Sequence, residues 1–141
     1  MGLLLKLDII NTMRKWIPIE DIPLQMDLHD LHDSVERLQI KIISGNDGRV
    51  LLIDFERYFA YQNADELCTL EKLELNPILS TSWPLFLTNE SDYLNGIVSG
   101  SYGIISNEGL THYVITCGNN IIEVVTNQEP HVSWIQEEVV S

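Results

Sequence analysis

Not one lysine or arginine follows Lys72 in this chain of 141 residues; the eight cations are Lys6, Arg14, Lys15, Arg37, Lys41, Arg49, Arg57 and Lys72, set against 21 acidic residues. The formal charge is −13 at neutral pH. Affinity for nucleic acid comes largely from basic residues that displace condensed counterions, so this composition speaks against nucleic acid as a partner. Anionic membrane surfaces are disfavoured for the same reason. The segment from Leu73 to Ser141 can form no internal Lys or Arg salt bridge, and a second interval without cations, Ile17 to Glu36, holds Glu20, Asp21, Asp27, Asp30, Asp33 and Glu36.

Cysteine is equally scarce. Cys68 and Cys117 stand alone, with no CxxC and no metal-ligand spacing, and both are expected to be small buried hydrophobes without a disulfide. No hydrophobic run approaches membrane-spanning length. The apolar start Leu3-Leu4-Leu5 is interrupted by Lys6 and Asp8, too soon for a signal-peptide core, and Lys6 occupies the position where a myristoylation motif needs Ser or Thr. A cytoplasmic location is the expectation. Catalytic and cofactor motifs are missing too: there is no GxSxG elbow, no HExxH, no GK[ST] and no GxGxxG. The chain is therefore read as no enzyme and as needing no cofactor.

What is present fits an ordinary globular composition, with 45% hydrophobic and 21% charged residues. One domain over 1–141 is the default for this length. Residues 3–16 carry an apolar-rich pattern read as a helix, and Pro18 and Pro23 make Trp16 to Leu24 a non-helical connector. From 27 to 38, Leu28, Leu31, Val35 and Leu38 recur at helical spacing with the acids opposite, which predicts a short amphipathic helix capped by Asp27. Leu38 to Ile43 and Arg49 to Phe55 flank Ser44-Gly45-Asn46-Asp47-Gly48, a hairpin signature. Tyr58 to Tyr61 continue the strand pattern. A helix is expected over 64–75, ended by Asn76-Pro77, then a strand over Leu85 to Thr88 and a helix capped near Asn89 to Ser91. A second hairpin joins His112 to Cys117 and Ile121 to Thr126 through Gly118-Asn119-Asn120. Val132, Trp134 and Ile135 form a last apolar patch. The fold class this implies is α+β, a mostly antiparallel sheet of about five to six strands with two to four helices.

The densest set of metal-ligating residues is His29-Asp30-Leu31-His32-Asp33, yet a zinc site generally wants a third protein ligand at suitable spacing, and the solvated flank of a helix is the plainer reading. His112 and His131 sit beside predicted strands with no spacing that assigns them a role. Gly96, Gly100 and Gly103 lack a phosphate-loop pattern. The acids are then the feature to explain. They solubilise, or they steer and lock a basic protein partner. In the second case Asp27, Asp30, Asp33 and Glu36 form one stripe on the predicted helix, with Glu20 and Asp21 nearby, and Tyr58, Tyr61, Tyr93 and Trp134 are candidate aromatic anchors.

On charge, size, and the cation-free stretches around Glu20 to Glu36 and Leu73 to Ser141, the chain resembles the small acidic immunity proteins that bacteria make beside polymorphic or contact-dependent growth-inhibition toxins. That resemblance implies a monomer or homodimer that binds a cognate toxin domain one to one. Such a toxin is often a nuclease, whose basic substrate groove would complement these carboxylates. Acidic secretion chaperones for injected effectors share the same size and charge, and are distinguished by apolar client-binding strips. A third alternative is a small enzyme or metal protein built on His29 and His32.

Overall fold

The computed structural model describes residues 12–35 and 37–136. Among these, nine strands form two antiparallel sheets. The first sheet has five strands: β1 (Arg14–Lys15), β5 (Ala60–Asp65), β6 (Leu85–Thr88), β7 (Thr111–Cys117) and β8 (Asn120–Thr126), in the order β1-β6-β7-β8-β5. The second has four: β2 (Asp27–Asp33), β3 (Leu38–Ile43), β4 (Val50–Phe55) and β9 (His131–Ile135), in the order β2-β3-β4-β9. Two helices, α1 (Leu70–Leu75) and α2 (Asp92–Gly100), join them, with single 3₁₀ turns at Glu66–Thr69 and Pro77–Ser80. The α+β class and the antiparallel pairing agree with the sequence reading, whereas its five to six strands fall short of nine. Among the described residues, no helix is long and apolar enough to cross a membrane.

Alternation creates the main core. Leu38, Ile40 and Ile42 on β3 and Leu51, Ile53 and Phe55 on β4 are buried, and they meet Leu85, Tyr113, Ile115, Ile122 and Val124 from the facing sheet. Each such aliphatic side chain withdrawn from water contributes about 1.5–3 kcal/mol before entropy is counted. Trp16 seals one side of this layer, with its ring 4.8 Å from that of Tyr113. The connector from Trp16 to Leu24 is non-helical as expected; Ile22 is buried along it, whereas Ile17 stays 68% exposed.

The segment 27–33 overturns its expectation: it is an edge strand, not a helix. Leu28 and Leu31, three apart, suit a helix face. In the strand, a bulge at His29 absorbs the extra residue, so that Leu28 lies opposite Ile42 and Leu31 opposite Ile40, both toward the buried side of β3. At the reversal into β3 the Ser34 N–H donates to the Arg37 carbonyl (2.8 Å), and Val35, expected on an apolar helix face, is 88% exposed with a φ of +51°. That backbone conformation is uncommon for a β-branched residue. The helix expected over residues 3–16 falls mostly outside the described residues, and its described end, Arg14–Lys15, is a short strand pairing with β6. The helix expected over 64–75 begins later, because Ala64 and Asp65 still pair with β8 and the 3₁₀ turn intervenes.

Both hairpins and the α2 cap form where the sequence places them. In the turn between β7 and β8, Gly118 adopts φ +59°, and its α-carbon lies so close to Asp27 that a β-carbon would approach the carboxylate to 2.8 Å. The positive φ is what calls for glycine there; the exposed Asp27 carboxylate can turn aside.

Candidate functional site

The five-stranded sheet is covered on both faces. Its inner face meets the second sheet; its outer face lies beneath the helices in two apolar patches. One comprises Met13, Leu79, Phe86, Val114 and Ile121, the other Leu94, Leu110 and Val125 with Tyr93 and Ile97 packed against them. Along β8, Ile121 belongs to the first patch and Val125 to the second. Glu123 stands between them on the same face, completely buried. The register sets Gln62 on one side of it and Val114 on the other, while His112 is opposite Val125, one step diagonal to Glu123.

A carboxylate in that position has no access to water and is sustained by a polar network. Its Oε1 lies 2.8 Å from His112 Nε2, and its Oε2 accepts from Gln62 Nε2 (2.7 Å) and pairs with Lys72 Nζ, which descends from α1. On the far side of the imidazole, His112 Nδ1 lies 2.7 Å from Ser91 Oγ. Ser91 is also the N-cap of α2 and accepts the Leu94 N–H at 3.1 Å. The Tyr93 ring closes over the imidazole, 5.2 Å between centroids, and Lys72 Nζ lies 5.8 Å from the same ring. Among the described residues, no buried side-chain nitrogen or oxygen is without a hydrogen bond.

The electrostatics select a protonation state. Burial pushes the Glu123 carboxyl upward, but the hydrogen bonds and charges of His112 and Lys72 outweigh it and hold its pKa below the ordinary carboxylate value. When the imidazole is neutral, an ionised Glu123 accepting from Nε2–H leaves the Nδ1 lone pair toward Ser91 Oγ; when it is protonated, Nδ1–H donates to that oxygen instead. Burial, with the Glu123 charge beside it, raises Tyr93 to about 12, so its phenol remains neutral at physiological pH.

The network floors a cavity of about 370 Å³ whose walls include Ser91, His112, Tyr93 and Lys72. Met13, Ala64 and Leu75 supply apolar surface, and the exposed carboxylates Glu71, Glu90 and Asp92 stand among the lining residues. Among the described residues Lys72 is the one Lys or Arg of that lining, and its charge is taken up by Glu123. A volume in the hundreds of Å³ with a few convergent polar groups suits a small ligand or a single inserted side chain.

No family model, curated protein or solved structure matches this chain.

The acidic positions singled out in the sequence do not share a helix face, because the segment that holds Asp27, Asp30 and Asp33 is a strand. Glu20 and Asp21 lie in the connector before β2, where their carbonyls accept from Trp134 Nε1 (3.2 Å) and Arg49 (3.3 Å). Asp27, Asp30 and Asp33 are exposed and strung along the β2 edge, spanning about 20 Å at the rise of a strand. Asp27 presses against Gly118, Asp30 is opposite Lys41 in the register, and Asp33 accepts the Tyr58 hydroxyl at 2.8 Å. Glu36 lies outside the described residues.

The imidazoles of His29 and His32 are exposed on the same strand. Among the described residues, no group of three or more His, Cys, Asp or Glu side chains is arranged to hold a metal ion. Of the candidate anchors, Tyr93 belongs to the buried network, Tyr58 and Tyr61 stack edge to face at 5.2 Å, and Trp134 lies beneath Arg49 at 4.4 Å. Cys117 is buried as expected, whereas Cys68 is exposed because the 3₁₀ turn carrying it lies on the surface. The sequence reading missed Glu123 as a site residue. The available signal was an acid between Ile121-Ile122 and Val124-Val125, with no polar residue on either side to suggest a solvent face.

Proposed function

We propose that this domain binds and neutralises a basic protein partner, the role an immunity protein has toward its cognate toxin, and that the partner docks on the helical face around the cavity. The observation that carries this reading is the makeup of the Glu66–Leu75 stretch. Leu67, Leu70 and Leu75 are 76%, 59% and 47% exposed there, interleaved with the exposed carboxylates Glu66, Glu71 and Glu74. Exposed apolar residues ringed by charge are the usual composition of a protein-binding surface, with apolar contacts supplying affinity and like-signed charges selecting the partner and speeding its approach. Glu90 and Asp92 extend the same charge across the cavity mouth. The β2 carboxylates are a weaker candidate because Asp30 and Asp33 already have a cation or a hydroxyl beside them.

The test begins with a partner captured on the wild-type protein from its native host at low salt. Its affinity is then measured by titration calorimetry against two charge-reversal sets. Glu71→Lys, Glu90→Lys and Asp92→Lys together should weaken binding by at least about 100-fold and flatten its salt dependence, since several rim contacts of about 1 kcal/mol each are reversed. Asp27→Lys, Asp30→Lys and Asp33→Lys should leave it within a few-fold. The opposite pattern would move the docking face to β2, and a captured partner whose affinity ignores salt would sink the electrostatic argument. The exposed leucines also suit the alternative of a secretion chaperone. Self-association, with client binding that survives high salt, would single that reading out.

A further inference from the structure

The buried network has a wiring that partner binding does not require. Ser91 Oγ, His112 and Glu123 lie in hydrogen-bonded series, 2.7 Å and then 2.8 Å apart, in the order hydroxyl, imidazole, carboxylate. That order and spacing are those of a serine nucleophile, a general base and an orienting acid, with the two ring nitrogens exchanged relative to the Ser-His-Asp template. The geometry points to Ser91 as the nucleophile of a hydrolytic site that opens into the 370 Å³ cavity and takes small uncharged or cationic esters.

Three further observations support this. Both Ser91 and His112 are lining residues of the cavity, Ser91 half-buried and His112 buried. Gln62 and Lys72 hold Glu123 through Oε2, leaving Oε1 for the imidazole and fixing the ring so that Nδ1 addresses Ser91. Ser91 caps a nine-residue helix. The Asp92 and Tyr93 N–H groups lie in its first turn, where a helix supplies no intrahelical acceptor. The carboxylates Glu71, Glu90 and Asp92 at the mouth disfavour anionic substrates.

The step balances without any co-reactant. Ser91 Oγ bonds to the acyl carbon as its proton passes to His112 Nδ1; the bond to the leaving alkoxide then breaks, and the alcohol departs with that proton. Water repeats the sequence on the acyl-serine. Nδ1 takes a proton from the water, the new C–O bond forms, the Ser91 ester bond breaks, and the proton returns to Oγ as the acid leaves. Gln62 and Lys72 act as positioning residues through Glu123.

The experiment uses the full chain with no partner present, so its outcome is independent of the docking reading above. A fluorophosphonate is the covalent probe and p-nitrophenyl acetate the substrate. Serine–phosphorus bond formation with loss of fluoride should label the wild type at Ser91, located by peptide mass spectrometry, and p-nitrophenol should be released with turnover. Ser91→Asn retains a helix cap but no nucleophile; folded by circular dichroism, it should show neither reaction. His112→Gln should slow labelling by about 100-fold or more, the range general bases supply. Lys72→Met, which leaves Ser91 and His112 in place, should shift the pH dependence of labelling. Absence of Ser91 labelling in the folded wild type overturns the proposal, as does wild-type turnover by Ser91→Asn or an unchanged labelling rate in a folded His112→Gln.

Discussion

Replacing Glu123 by glutamine tests the centre of the molecule most directly. The carboxylate serves three donors, His112 Nε2–H, Gln62 Nε2–H and Lys72 Nζ–H, from a position with no exposure. A glutamine has one acceptor and one donor end. If its Oε1 faces His112, its amide hydrogens meet those of Gln62 and the ammonium of Lys72; reversed, they meet Nε2–H. Breaking a buried ion pair from one side costs about 3–5 kcal/mol. The Lys72 side chain keeps 24% of its surface and can turn toward water, which reduces the expected loss to roughly 2–4 kcal/mol. At about 4 °C per kcal/mol for a chain of this size, Tm should fall by about 8–16 °C.

The sign with pH follows from the depressed pKa of Glu123. Its stabilisation is complete above the unfolded value, near pH 4–5, and is lost as pH falls through the lower folded value, so the gap between wild type and Glu123→Gln should narrow on acidification. Urea denaturation at pH 7 and in acid reads both effects. Combining Lys72→Met with Glu123→Gln should cost less than the sum of the two single changes by at least about 1 kcal/mol. A Glu123→Gln variant within about 0.5 kcal/mol of wild type at pH 7, or strict additivity with Lys72→Met, would refute this account of the network.

Three further outcomes are expected. Cys117 is buried and its thiol is pushed up to about 12 by burial and the nearby Asp27 charge, whereas Cys68 is exposed, so a disulfide reagent at pH 8 should titrate one thiol in the native protein and two in denaturant. Gly118→Ala should destabilise by about 1–2 kcal/mol for its left-handed backbone, and because the exposed Asp27 carboxylate can turn away from the added methyl, Asp27→Ala should restore little of the loss in a urea midpoint. Leu67→Ser with Leu70→Ser should leave the unfolding midpoint nearly unchanged, because both side chains already face water, while weakening capture of the partner; a large stability loss would mean that these leucines are core.

The hairpins were legible because their turns need particular residues. Glycine and asparagine at 45–48 and 118–120 permit reversals that other side chains resist, and the alternation on either side carries the inward faces. Ser91 was legible as a cap for the same kind of local reason. β2 was not, since Leu28 and Leu31 three apart satisfy a helix, and only the bulge at His29 lets a strand turn both toward the core, where they are half-buried. The edge strand β5 was half visible, its exposed Gln62 and Asn63 concealing a partnership with β8. Of the site, Ser91, His112 and Glu123 are scattered along the chain and gathered by pairing that no local pattern encodes. A count of acids treats Glu123 like any other, although it is the one described carboxylate with no water to face.

The lone charge on β8 also bears on how the strands find their alignment. Six consecutive residues of that strand, Ile121 to Thr126, are buried, so hydrophobicity alone scarcely distinguishes one face from the other. Sliding β8 by a single residue would exchange the faces, driving Glu123 into the apolar layer beside Ile40 and Phe55 and leaving an isoleucine or valine opposite Lys72. An unpartnered carboxylate in that layer costs several kcal/mol. The misaligned chain would therefore be expelled rather than trapped, and a single ionised group supplies the asymmetry that an otherwise two-sided greasy strand lacks.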